Sequence, residues 1–143
     1  QHALTGACLA FKLLSDLDMP PEEVAAIVTA IGNHDEGSGK AVSRIAAALI
    51  LADKSDVRRT RVRKPYSPEH DDIHDRVNYA VTKSWLELSD ERDEICLRLT
   101  IDTALCPVIE YFKIFLTRMF MCKGASELLG ATFTLVINNT VLM

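Results

Sequence analysis

Residues 43–57 read SRIAAALILADKSDV, an alanine- and leucine-rich run that gives way to charged side chains at its end. Apolar residues recur at helical spacing through Ile45, Ala48, Leu49 and Ala52. This spacing predicts an amphipathic helix that buries the face formed by these side chains. Because the run is almost entirely apolar before its charged end, the helix is expected to lie in the core.

Helical spacing extends on both sides of this run. Before it, residues 3–17 repeat apolar side chains at helical steps, and Pro20 and Pro21 then start a new helix because proline fits only a helix's first turn. After it, Val77 and Trp85 fall on the inward face of a further helix. The sequence therefore predicts helices over residues 3–17, 21–31, 43–57 and 73–85.

The period of the pattern changes in the second half of the chain. Residues 95–101 alternate apolar and other side chains, as in a half-buried strand. A long apolar helix over 107–129 and a second alternating stretch over 133–137 follow. We therefore predict a mainly α fold, with a helical bundle over 1–88. A strand–helix–strand subdomain over 89–143, with room for a short third strand, is expected to serve assembly.

Composition limits the class of protein. The apolar share of 48% and the charged share of 25% are typical of an ordered globular chain, and the net charge of −4 does not favour nucleic-acid binding by the whole molecule. The four cysteines form no C-x-x-C pair, so we interpret them as buried thiols in a reducing compartment. Neither a signal peptide nor an apolar run of about 18 residues is visible, which predicts a cytoplasmic protein without a membrane span.

His2, His34 and Asp53 are the candidate metal ligands. Each lies at an edge or face of a predicted helix, and helices can bring ligands together from distant positions in a sequence. Imidazole and carboxylate groups form the ligand set that divalent iron, manganese and similar ions prefer in hydrolytic sites. The three residues therefore indicate a metal site inside the predicted bundle.

The segments around these residues are similar to a known family. QHALTGA at 1–7, AIGNHDE at 30–36 and LILADKSD at 49–56 resemble three consecutive pieces of the HD superfamily of metal-dependent phosphohydrolases. Members of that family are α-helical bundles in which histidines, a His-Asp dipeptide and a final Asp collect one or two metal ions. The resemblance covers about residues 1–60 and implies that the predicted bundle is of the HD type.

The resemblance implies a role for each candidate ligand. His2 and His34 resemble the additional histidines that serve a second metal, and Asp53 resembles the closing aspartate. The defining His-Asp dipeptide is then expected before Gln1. The cofactor implied is one or two divalent ions of iron, manganese or magnesium, which lower the pKa of a bound water and neutralise charge on a phosphoryl group.

A rival alignment with the same family remains open. In it, His34-Asp35 is itself the signature dipeptide and His2 is the first ligand. The closing aspartate then falls much further along the chain, at Asp90 or Asp93.

Two residues beside the ligands are candidate catalytic groups. Asp35 could orient a water or a ligand, or it could be a solvated carboxylate in a polar loop. Lys54 could contact a phosphate oxygen, or it could form an ion pair with Asp53 or Asp56.

A basic segment follows the candidate closing aspartate. Residues 54–64 hold six cations, and arginine presents a planar fork that suits phosphate oxygens. We therefore predict that Lys54, Arg58 and Arg59 bind substrate phosphate. The same segment could grip a nucleic-acid backbone or could simply pair with nearby acidic residues. His70 and His74, four residues apart, are interpreted as surface residues.

The leading functional hypothesis is an HD-type metal-dependent phosphohydrolase that acts on a nucleotide or another phosphate ester, active in the full-length protein. The alternatives are a non-catalytic HD-like scaffold for dimerisation, and nucleic-acid binding through residues 54–64. Because the helix over 107–129 is apolar on nearly all sides, we also expect a homodimer.

Overall fold

The computed structural model describes residues 1–62 and 72–143. Its α-helices are α1 (His2–Asp16), α2 (Pro21–Gly32), α3 (Arg44–Ser55), α4 (Ile73–Ala80) and α5 (Val108–Leu129), with a 3₁₀ turn at Arg59–Arg61. Its strands are β1 (Val81–Leu88), β2 (Glu94–Ile101), β3 (Thr132–Ile137) and β4 (Thr140–Val141).

Local sequence signals set the ends of several helices. Pro21 occupies the first position of α2, where its missing N–H is not needed. The Ser43 hydroxyl accepts a hydrogen bond of 3.1 Å from the Ala46 N–H and so caps α3. Gly130 ends α5 with φ of 84°, a left-handed conformation that glycine adopts without steric cost.

The strands form a mixed sheet in the order β1-β2-β3-β4. The pairs β1–β2 and β3–β4 are antiparallel, whereas β2 and β3 are parallel. A parallel pair needs a crossover connection, which α5 provides. Leu97 lies at the centre of the sheet, opposite Leu86 on one side and Leu135 on the other.

One hydrophobic core joins this sheet to α3, α4 and α5. Ile50 of α3, Leu97 of β2, Phe115 of α5 and Leu135 of β3 belong to the same buried cluster. The inward residues of β2 and β3 alternate along each strand, as the sequence pattern predicts. Helix α3 packs closely on α5, so the candidate site at the end of α3 is positioned by the core.

The predicted fold class is wrong, because the structure is not a mainly α bundle with an appended segment. Helices and a four-stranded mixed sheet share the core. The predicted helix over 73–85 ends at Ala80, and Val81–Leu88 is a strand. This strand forms a hairpin with β2 across a turn in which the Ser89 hydroxyl accepts hydrogen bonds from the backbone of Asp93 and Glu94. Trp85, predicted to face inward, is 41% exposed.

Two predicted helix faces are also wrong. Helix α3 buries Ala46, Ala47, Ile50, Leu51 and Lys54, while Ile45 is 52% exposed. Because residues 45–52 are all apolar, their spacing alone could not decide which face is buried. The apolar repeat that predicts α1 consists of Leu4, Ala7, Cys8, Phe11, Leu14 and Leu17. Of these, Ala7 is buried together with Ala3, but the larger Leu4, Phe11 and Leu17 are exposed.

Two further expectations concern the cysteines and the membrane. Cys96, Cys106 and Cys122 are buried free thiols, but Cys8 is exposed, so the prediction of a buried thiol is wrong at that position. Within residues 1–62 and 72–143, no helix combines the length and the apolar character that crossing a membrane requires.

Candidate functional site

His34 lies directly after α2, in the loop that leads to α3. Its Nδ1 is 2.6 Å from the backbone carbonyl oxygen of Ile31. Because a carbonyl oxygen can only accept, Nδ1 must carry the proton and donate it. In a neutral imidazole this leaves the lone pair on Nε2. The loop therefore holds His34 in one tautomer, with Nε2 free to accept a proton or bind a cation.

His2 faces His34 from the first turn of α1. Their Nε2 atoms are 3.1 Å apart, and the two rings meet edge to face. The antiparallel packing of α1 and α2 brings the start of one helix to the end of the other. Gly6 allows this close approach, since a Cβ there would lie 3.3 Å from Ile31 Cγ2.

Asp35 approaches the other ring nitrogen of His2. Its Oδ1 lies 3.7 Å from Nδ1 of His2, which is an electrostatic contact too long for a hydrogen bond. Because Nδ1 of His34 carries its proton, Nε2 of His34 can accept a hydrogen bond from Nε2 of His2. Asp35 thus has an electrostatic contact with His2, and its predicted catalytic role stays a prediction.

Asp53 lies in the last turn of α3 and is held by the neighbouring lysine. Lys54 Nζ is 2.6 Å from Asp53 Oδ2. Burial alone would raise the pKa of Asp53, but the hydrogen bond and charge of Lys54, followed by His34 and Arg118, hold the pKa below its usual value. Asp53 is thus ionised near neutral pH and close enough to interact electrostatically with His34.

Lys54 is the most deeply buried charged group of the site. Only 2% of its side chain is exposed, and Nζ also lies 3.2 Å from Glu36 Oε2. Arg118 of α5 approaches the other oxygen of Glu36, with Nε 2.5 Å from Oε1 in an ion pair that lacks hydrogen-bond geometry. Burial works against ionisation of Glu36, yet a backbone hydrogen bond, Arg118 and Lys54 together lower its pKa.

The spacing of the histidines can be tested against metal coordination. Two nitrogens bound to one ion at about 2.0–2.1 Å are about 2.8–3.4 Å apart for angles between octahedral and tetrahedral values. The observed separation of 3.1 Å fits one shared ion. However, no group of three or more His, Cys, Asp or Glu side chains in the described ranges is arranged to hold a metal. The structure thus brings His2 and His34 together as a pair, and leaves Asp53 outside that pair in its ion pair with Lys54.

The predicted phosphate-binding residues lie in three different environments. Arg58 lines a cleft of about 530 Å³ together with Asp53 and Ser84, and its Nε is 2.8 Å from Asp56. Arg59 points elsewhere, donating a 2.7 Å hydrogen bond to the Tyr79 carbonyl and lying over that ring. Lys54 is buried between two carboxylates, which argues against its predicted contact with substrate phosphate.

The remaining candidates are not part of this site or cannot be placed. Asp93 accepts a 2.7 Å hydrogen bond from the Ser89 hydroxyl in the β1–β2 turn, and Asp90 is exposed in the same turn. His74 is exposed at the start of α4. His70 and the basic residues Arg63 and Lys64 lie outside the described residues.

Glu36 and Arg118 are site residues that sequence reasoning missed. Glu36 follows directly after His34 and Asp35, but nothing in a polar loop indicates which carboxylate turns inward. Arg118 offered a weak signal, because it lies next to the apolar stripe of α5 that contains Phe115 and Met119. A cation beside such a stripe needs a partner when it is partly buried.

Comparison of the chain with known proteins gives no support for the HD family. Neither protein-family models, nor curated sequences, nor solved structures give a match to this chain, so the family stays a prediction.

Proposed function

We propose that the chain contributes part of a metal-dependent phosphohydrolase site, in which His2 and His34 bind a divalent ion. The observation that carries the proposal is the pair of Nε2 atoms 3.1 Å apart. Nδ1 of His34 donates to the Ile31 carbonyl, and Nδ1 of His2 has the Asp35 carboxylate at 3.7 Å. A hydrogen-bond proton or a divalent cation can lie between two nitrogens at this distance, and we propose the cation. Metal-ligating histidines commonly have such acceptors behind them.

The residues around the pair have distinct tasks in this proposal. A bound ion would supply a water of lowered pKa and positive charge beside a phosphoryl group. Asp35 would orient His2, and the Ile31 carbonyl would orient His34. Asp53, kept ionised by Lys54, would provide a negative charge that attracts the ion or accepts a proton from the water. Other ligand positions would be left to water and to substrate oxygens.

The cleft beside Asp53 is the proposed place for the substrate. Its volume of about 530 Å³ suits a small phosphate ester, and Asp53 belongs both to the cleft and to the surroundings of His34. Arg58 is half exposed at this cleft, and its guanidinium could leave Asp56 and bind phosphate oxygens instead. We therefore propose a nucleotide or other small phosphate ester as the substrate.

Metal titration tests the proposal directly. Cobalt(II) or manganese(II) alone should bind the wild-type protein, and His34→Ala should weaken binding at least tenfold because half of the imidazole pair is lost. His74→Ala, at an exposed histidine on α4, is the matched control and should bind as wild type. Hydrolysis of p-nitrophenyl phosphate and of nucleotides should depend on the added metal. Arg58→Ala should raise KM with little change in kcat. Equal metal binding by wild type and His34→Ala would refute the proposal.

A non-catalytic scaffold is the second candidate function. It is favoured because the described parts of the chain hold no group of three or more His, Cys, Asp or Glu side chains arranged to bind a metal. It is also favoured by Lys54, which is buried in ion pairs. On this alternative, a proton shared between His2 and His34 replaces the ion. A well-folded protein that neither binds metal nor hydrolyses phosphate esters would support it.

We also propose that the protein forms a homodimer. Helix α5 leaves Ile109, Leu116 and Phe120 exposed, and Phe120 is 57% exposed. Apolar side chains at this spacing share one helix face, which is typical of a surface covered by another subunit. Light scattering should give twice the mass of one chain, and Phe120→Glu should halve it. Nucleic-acid binding is less favoured, because Arg59 and Arg61 already have protein partners.

A further inference from the structure

Four charged side chains form an ion cluster next to the loop that carries His34. We define the ion cluster as Glu36, Asp53, Lys54 and Arg118. Its members come from three segments of the chain: the loop after α2, the end of α3 and the middle of α5. The cluster therefore ties the loop that carries His34 to two helices of the core.

The burial of Lys54 makes this connection a strong constraint. An ammonium group removed from water is costly unless carboxylates surround it closely. Lys54 is 2% exposed and has two carboxylates within 3.2 Å, while Arg118 pairs with the other oxygen of Glu36. Two cations and two anions thus balance. Moving Glu36 away would leave the buried ammonium of Lys54 with one carboxylate partner in place of two.

The two ends of the loop of residues 33–39 are in contact, so its residues are expected to move together. The Gly39 N–H donates a 2.8 Å hydrogen bond to the Asp35 carbonyl. A Cβ at Gly39 would lie 2.3 Å from the Asn33 carbonyl oxygen, so both ends of the loop are in contact. His34 and Glu36 therefore belong to one closed loop, and the position of Glu36 determines the position of His34.

We infer that Lys54 is a positioning residue, whose ammonium fixes the loop of residues 33–39 against α3 and thereby sets the distance between the two imidazoles. The consequence for metal binding rests on the proposed function. The tethering of the loop does not, because it can be measured without metal. Lys54 acts here through Glu36 and Asp53 and touches neither ion nor substrate.

Lys54→Met tests this inference, because methionine fills most of the same volume without charge. In the variant, the Gly39 amide should exchange its hydrogen at least tenfold faster, while the amides of Leu97 and Leu135 in the central strands should keep their protection. The affinity for cobalt(II) alone should fall tenfold to a hundredfold, as it does when groups behind a metal ligand are removed. Lys12→Met is the matched control, since Lys12 forms an exposed pair with Asp16 on α1 and should show none of these effects.

A second variant covers the case in which Lys54→Met does not fold. Glu36→Gln keeps the shape of the side chain and removes its charge, and it should also speed exchange of the Gly39 amide severalfold. Unchanged Gly39 exchange in both variants would overturn the inference. Uniform loss of protection across the central strands in both variants would overturn it too, because Lys54 would then be structural only.

The outcome for the proposed function is read separately. If wild-type protein binds no cobalt(II) but Lys54→Met still frees the Gly39 amide, the positioning inference stands and the metal proposal fails. If wild type and Lys54→Met bind cobalt(II) equally, the metal proposal stands and the positioning inference fails.

Discussion

Replacing Ile50 by alanine should destabilise the sheet, although Ile50 belongs to α3. Ile50 has no exposed surface, and it lies in the same buried cluster as the central strands. A fully buried isoleucine cut to alanine costs about 2–5 kcal/mol, because apolar contact is lost and a cavity remains. Alanine's better helix propensity returns only about 0.4 kcal/mol. We therefore expect the free energy of unfolding to fall by about 2–4 kcal/mol.

Ile45→Ala is the matched control in the same helix. Ile45 is 52% exposed, so about half of the roughly 1.5–3 kcal/mol for burying an isoleucine is at stake there. After the gain in helix propensity, the expected loss is below about 1 kcal/mol. The two variants carry the same chemical change and differ only in the face of α3 that they alter.

Urea unfolding followed by tryptophan fluorescence measures both variants. Trp85 is the only tryptophan of the chain and lies on β1, so its signal reports the sheet while the mutation lies in a helix. Ile50→Ala should shift the whole transition to lower urea with an unchanged slope. An unchanged fluorescence midpoint would refute the shared core, because α3 and the sheet would then unfold independently. A larger effect from Ile45→Ala would refute the assignment of the buried face.

Three other predictions concern charge, backbone and thiols. The folded-state pKa values of Asp53 and Glu36 lie below their ordinary values of 3.8 and 4.5. Their contribution to the free energy of unfolding is therefore present above those values and is lost as pH falls through the folded pKa. In urea unfolding between pH 7 and pH 3, the free energy of unfolding of Asp53→Asn should fall less steeply with acid than that of wild type. Gly130→Ala should cost about 1–2 kcal/mol because its φ is 84°, whereas Gly124→Ala, in open space within α5, should stabilise by about 0.5–1 kcal/mol in thermal unfolding. Cys8 should react with a thiol reagent before any buried cysteine, since it alone among the cysteines is exposed; equal rates at all positions would contradict the packing.

The second half of the chain was largely predictable from its sequence. The helix predicted over 107–129 is Val108–Leu129, and the alternation over 95–101 marks β2. Both segments are long and strongly periodic. The strand Val81–Leu88 was missed, because its residues continue a helical spacing and its structure depends on pairing with β2. Long-range pairing of this kind leaves no local signal in the sequence. The prediction of a helical bundle therefore missed a strand of the mixed sheet.

The candidate site was predictable only in part. The choice of His2 and His34 followed from residue type and resemblance, and the structure places their rings in contact. The ion pair of Lys54 with Asp53 was one of the alternatives that the sequence offered, but the burial of Lys54 and its second partner Glu36, 18 residues away, could not be read from it. The burial of a lysine depends on such distant carboxylates and cations, so no spacing rule identifies it.

The parallel pairing of β2 with β3 has a consequence for synthesis on the ribosome. Leu97 meets Leu135 only after the whole of α5 has been made. Helix α3 therefore leaves the exit tunnel long before its packing surface exists, with Ile50 and Leu51 open to water. Such non-local closure is slow, and we expect the nascent chain to depend on a chaperone during that interval.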